Sequence, residues 1–160
     1  MESLNLQSKY QNLSLSVCGS GTELASAQMY VKENDIANVV FHGNLSGSKL
    51  VEQFVCSDVY ILPTYEEGMA TSVLESMAFG LPIISRPVGG VKDFFVNDEM
   101  GVLTESLDPR VYADIIEEYI NNPQKVKHIS NVNYNFAKGN FYASKVVKKF
   151  ENDINLYCKK

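Results

Sequence analysis

Two carboxylates, Glu67 and Glu75, stand with seven residues between them on either side of a helix start. The segment Val59-Tyr60-Ile61-Leu62 reads as a strand stopped by Pro63, because proline cannot donate to a ladder. A loop, Thr64 to Met69, leads directly into a helical run from about Ala70 to Phe79, closed by Gly80. A helix start offers unpaired N–H groups and a positive dipole end, both suited to a phosphate. Glu67 lies on the loop before that start, and Glu75 lies inside the helix. Carboxylates accept hydrogen bonds strongly from hydroxyls, whereas a carboxylate set against a phosphate is repelled. The two glutamates therefore suit a ligand with hydroxyls on both sides of a diphosphate, although spacing alone does not select that ligand.

The elements around this segment alternate. Leu13 to Cys18 reads as a strand ending in the turn Gly19-Ser20-Gly21. Thr22 to Glu33 reads as a helix with Thr22 as its cap, Val39 to His42 as a strand ending at Gly43, and Ser48 to Cys56 as a helix carrying Leu50, Phe54 and Val55 at helical spacing. Beyond Gly80 come the strand Pro82 to Ser85, a short helix opened by Gly89-Gly90 and a last short strand, Met100 to Thr104. Asp108 caps a helix begun by Pro109, and two more helices, from about Pro123 and Tyr142, bring the helical tail to residues 109–157. Strand–helix alternation predicts an α/β fold, a Rossmann-like parallel sheet with helices on both faces. Ligands in such folds bind at the carboxyl ends of strands, which singles out the turns at Gly19 to Gly21, His42 to Gly47, Pro63 to Ala70 and Arg86 to Gly90.

The chain has 160 residues, 45% hydrophobic and 21% charged, with a formal net charge of -5. That is an ordinary globular mixture for one domain, read here as a single unit over 1–160. No basic patch speaks for nucleic acid. The three cysteines, Cys18, Cys56 and Cys158, are widely spaced and show no metal-ligand pattern; Cys18 and Cys56 flank apolar runs and read as small core residues. No apolar stretch approaches a membrane span and the first ten residues are polar, so a cytoplasmic protein is expected. Lys145, Lys148 and Lys149 form a basic stripe on the last helix, read as a solvated face because Glu151 and Asp153 follow, with peripheral contact to anionic lipid at the inner face of a membrane as the alternative. His42 reads as a polar residue at a strand end.

The run from Glu67 to Ile84 resembles the signature of retaining glycosyltransferases of family 4, which have the GT-B fold: two glutamates separated by seven residues, then a small-residue, Gly-Leu-Pro stretch. Gly19-Ser20-Gly21, Val40-Phe41-His42-Gly43, Ser57-Asp58-Val59, Gly89-Gly90 and the closing stretch Phe141 to Tyr157 agree in the same order. The resemblance implies the donor-binding, C-terminal half of such an enzyme. It implies that Glu67 contacts the transferred sugar and that Glu75 binds the ribose. The backbone N–H groups of Thr71 and Ser72 would meet the diphosphate, those of Met69 and Ala70 would lie beside the sugar, and the turn from Gly43 to Leu45 would line the base. Gly19 and Gly21 would approach the donor. No metal and no cofactor is implied; the nucleoside diphosphate sugar is the substrate. Many members have Gly where Ala70 stands and Phe where Met69 stands. The family also places an Arg and a Lys before the point where this chain begins, and an N-terminal domain that receives a glycan or lipid-linked acceptor. The chain is thus expected to be part of a longer protein and inactive alone. A non-catalytic nucleotide-binding subunit of a split transferase is the second expectation; a nucleotide-sugar epimerase fits less well.

Overall fold

The computed structural model describes residues 3–157 and the side chains of 6–156; Cys158 lies outside the described residues. The chain divides into two compact units, one of 1–56 with 108–118, the other of 57–107 with 119–160.

The first unit contains α1 (Ser3–Lys9), β1 (Leu15–Cys18), α2 (Leu24–Glu33), β2 (Val39–Gly43) and α3 (Ser48–Val55). β1 and β2 pair in parallel, Leu15 opposite Val39 and Val17 opposite Phe41, with an irregularity at Cys18, which faces Gly43. The expected Thr22 cap does not form: the helix starts two residues later, with Glu23 in the capping position and no side-chain cap bond. In α3 Phe54 is buried, but Val55 is exposed. Cys18 and Cys56 are exposed rather than part of a core. The strand end at Cys18 and the helix end at Cys56 carry them clear of the packed faces, so their apolar neighbours do not enclose them. Most of α5 (Pro109–Asn121) belongs to this unit; Asp108 caps it as expected, accepting from the Arg110 N–H at 2.9 Å. Glu117 on α5 accepts hydrogen bonds from Lys9 and from the Tyr10 hydroxyl.

The second unit contains β3 (Tyr60–Leu62), α4 (Thr71–Ala78), β4 (Ile83–Ser85), a 3-10 helix (Gly89–Asp93), β5 (Gly101–Leu103), α6 (Pro123–Asn140) and α7 (Ala143–Tyr157). Its sheet is parallel, in the order β3-β4-β5. Every pairing is parallel, as the alternation predicts, giving an α/β Rossmann-like fold of parallel strands flanked by helices. The hydrogen-bonded ladders nevertheless form two sheets of two and three strands among the described residues. Strands of three to five residues supply few ladder positions.

α4 is held by its apolar side. Val73 and Met77, a turn apart, are fully buried, joined in the core by Ala70, Ile83, Val91, Met100 and Ala137. Each such burial contributes roughly 1.5–3 kcal/mol for a large apolar side chain. Gly80 ends the helix with φ 76°, the left-handed conformation that glycine adopts without strain. A buried polar residue ties α6 to the sheet: the Asn133 side-chain amide donates to the carbonyls of Leu81 at 2.7 Å and Met100 at 2.9 Å, just before β4 and β5. Phe94 and Phe136 stack, Phe141 meets both edge-on, with ring centroids 5.4–5.8 Å apart, and all three pack against this core.

Candidate functional site

The expected loop and helix are present in the second unit. β3 ends at Leu62, and α4 begins at Thr71. Residues between them have no regular secondary structure, so the loop rests on its neighbours rather than on a ladder. The start of α4 has no side-chain cap; Ala70 occupies the capping position, and its carbonyl accepts from the Val73 N–H at 2.9 Å. An uncapped start leaves the first N–H groups, those of Thr71 and Ser72, directed out of the helix end. Ala70 itself is buried and anchors the start in the core.

Glu75 and Thr71, four residues apart, share one face of α4 and both are exposed. Val73, Ser76 and Met77 take the opposite face. Glu67 and Met69 are exposed on the loop. The Ser72 hydroxyl is engaged, accepting from the Tyr60 hydroxyl at 2.7 Å, so the helix start is pinned to β3 while its backbone N–H stays available. Thus Glu67, Met69, Ala70, Thr71, Ser72 and Glu75 come together on one continuous loop–helix.

The predicted residues of the first unit form their own group. The Gly19 N–H donates to the Gly43 carbonyl at 2.8 Å, which brings the two glycine turns side by side at the carboxyl ends of β1 and β2. No atom lies within 4 Å of the place a side chain would take at Gly19, Gly21 or Gly43, so that strand end is open. Leu45 follows in the second turn, half-buried. His42 sits at the strand end as expected, its Nε2 3.4 Å from the Ser16 hydroxyl. Among the described residues no group of three or more His, Cys, Asp or Glu side chains is placed to share a metal ion, and no helix is long and apolar enough to cross a membrane.

Sequence reasoning placed Arg86 and Gly89 in a turn at a strand's carboxyl end but gave neither a contact with the Glu67 loop. Arg86 follows β4 directly and donates to the Thr64 carbonyl at 3.2 Å. Gly89 lies against the loop so closely that a Cβ there would come within 2.2 Å of the Glu67 carbonyl oxygen. The available signal was position: both residues fall in a turn at a strand's carboxyl end.

The chain's similarity to known proteins includes this loop–helix, with its two exposed glutamates and uncapped start, and extends well beyond it. The sequence profile of "Glycosyl transferases group 1" matches residues 1–136. The chain belongs to the glycosyl transferases group 1 family. Among curated relatives of this chain, an uncharacterized glycosyltransferase of Haemophilus influenzae is 31% identical over 128 residues, covering 79% of the chain and 36% of the relative. A D-inositol 3-phosphate glycosyltransferase of Paenarthrobacter aurescens is 26% identical over 116 residues, covering 71% and 28%. The chain therefore spans about a third of the length of these relatives. The fold matches Anabaena HepE, solved with UDP-glucose, at a TM-score of 0.81 and 16% identity, over 95% of this chain and 43% of that one. It also matches the C-terminal domain of the group 1 glycosyl transferase LpcC from Francisella tularensis at 0.77 and 20% identity, over 88% and 76%. The architecture of this family member is thus that of a C-terminal GT-B domain.

Proposed function

We propose that the chain is the donor-binding part of a retaining glycosyltransferase, which moves a sugar from a nucleoside diphosphate donor to a glycan or lipid-linked acceptor. The observation that carries this reading is the uncapped start of α4 between two exposed glutamates. The N–H groups of Thr71 and Ser72 and the helix dipole meet the diphosphate as its negative charge grows on departure of the sugar. Glu75 accepts the ribose hydroxyls and Glu67 faces the sugar, where positive charge develops at the anomeric carbon. The donor is substrate rather than resident cofactor, and the acceptor is bound by a part of the protein outside this chain.

The test is nucleotide binding by this chain, by calorimetry or NMR shifts, with UDP, GDP and ADP. UDP comes first because HepE is solved with UDP-glucose. The expected Kd is roughly 0.1–1 mM, or about 4–5.5 kcal/mol, appropriate to a partial site. Absence of any response at several millimolar of all three nucleotides refutes the reading.

A further inference from the structure

We propose that the segment from Arg86 to Gly90 is the template that sets the position of the Glu67 loop, with Arg86 as its positioning residue. The two segments run alongside each other and touch in register. The Arg86 Nη1 donates to the Thr64 carbonyl at 3.2 Å, and the guanidinium lies over the Tyr65 ring, 5.9 Å from its centroid, within cation–π range. Three residues on, the left-handed Gly89 (φ 56°) meets the Glu67 and Gly68 carbonyls, where a Cβ would stand at 2.2 and 2.4 Å. The Gly90 N–H then donates to the Gly68 carbonyl at 2.8 Å, and a Cβ at Gly90 would stand 2.7 Å from the Met69 Cε.

The loop needs such support. Among the described residues no hydrogen bond or ion pair holds the Glu67 side chain, and its backbone lies in no ladder, so its placement is inherited from the backbone beneath it. Arg86 is suited to hold that backbone. Its side chain is only 15% exposed and its acidic partner among the described residues, Glu105 at 3.5 Å, is 79% exposed, so that pair is weak. Its Nε is buried without a hydrogen-bond partner. A guanidinium that accepts this desolvation while spending one donor on a loop carbonyl is fixed by the loop more than by its counter-ion. Lysine lacks the flat face that covers Tyr65 and the fork that reaches Thr64.

The consequence for function rests on the donor reading above. A loop held in place adds sugar recognition to nucleotide recognition, so losing the template removes the first and spares the second. The test compares wild type with Arg86→Met, Arg86→Lys and Gly89→Ala in two measurements. The first is the rate at which a Glu-specific endoprotease cuts after Glu66 and Glu67, relative to the cut after Glu151 on α7. Arg86→Met is expected to raise that ratio by about tenfold, the scale of one lost charge-assisted hydrogen bond. Arg86→Lys should fall between Met and wild type, and Gly89→Ala, where it folds, should exceed both. The second is the ratio of the Kd for UDP to that for UDP-glucose, with GDP and GDP-mannose in parallel. Arg86→Met should erase the preference for the sugar nucleotide and leave the Kd of the bare nucleotide where it was. An unchanged cleavage ratio in Arg86→Met overturns the template. So does an equal loss of affinity for nucleotide and sugar nucleotide, which signals general damage. If wild type binds neither nucleotide, the donor reading falls, and the cleavage ratio alone decides the template.

Discussion

Glu67 and Glu75 can be separated experimentally, because the structure puts them on different supports. Glu75 is fixed on a helix face whose opposite side is fully buried, so replacing it with alanine should leave α4 in place and remove only the carboxylate. If that carboxylate accepts a ribose hydroxyl, the loss is that of a hydrogen bond to a charged group, roughly 1.5–3 kcal/mol. That corresponds to about a 10- to 150-fold weaker nucleotide affinity, and the exposure of Glu75 places the expected value toward the lower end. The ribose looks alike in ground and transition states, so in the whole enzyme Glu75→Ala should raise KM and leave kcat nearly alone. Glu67→Ala should behave in the opposite way. A bare nucleoside diphosphate carries no sugar for Glu67 to reach, so its affinity should be unchanged, while kcat falls at least as far as affinity falls in Glu75→Ala. The deciding assay is titration of the free nucleotide into both variants. Equal losses would refute the division of roles, and one of the two assignments would have to be withdrawn.

Other outcomes follow from the packing and the ionic contacts. Asn133→Ala removes both donors from the Leu81 and Met100 carbonyls and should lower unfolding stability by about 1–3 kcal/mol, read by urea denaturation; an unchanged midpoint would show that water replaces the amide without cost. The Lys9 ammonium and the Tyr10 hydroxyl beside Glu117 hold its carboxyl below the usual carboxylate range of about 4.5. A depressed folded pKa contributes stability above the unfolded value that is lost as pH falls through the folded one. Acid titration should therefore loosen α1 from α5 only below about pH 4.5, and Glu117→Gln should abolish that step in the helical signal. Cys18 is exposed, yet partial burial pushes its thiol up, so at neutral pH iodoacetamide should label it more slowly than it labels an unstructured cysteine peptide; equal rates would contradict the shielding.

Much of the second unit was legible because its punctuation is local. Pro63 ends β3, Gly80 ends α4, and the apolar spacing of Val73 and Met77 fixes which face is buried, so the exposure of Glu75 follows from sequence alone. Asp108 and Pro109 marked the start of α5 for the same reason. The failures involve tertiary context. Cys18 and Cys56 sit beside apolar residues in sequence, but their own positions fall at the ends of elements. Thr22 has the chemistry of a cap, but the chain turns into its helix two residues later. Asn133 reads as an ordinary polar helix residue until the carbonyls of two strand entrances are placed around it. The contact of Gly89 with the Glu67 carbonyl joins residues 22 positions apart, and neither segment's own spacing encodes the other's approach.

The two compact units are interleaved along the sequence, since 108–118 returns to the first unit before 119–160 completes the second. No single cut yields either one whole. A nascent chain emerging from the ribosome would hold Glu67 and its helix long before α6 and Asn133 exist to seal the sheet beneath them, so the Glu67 loop settles late in synthesis. Recombination faces the same constraint: one crossover between Cys56 and Ser57 would separate residues that fold together, and moving the first unit whole into a relative needs three.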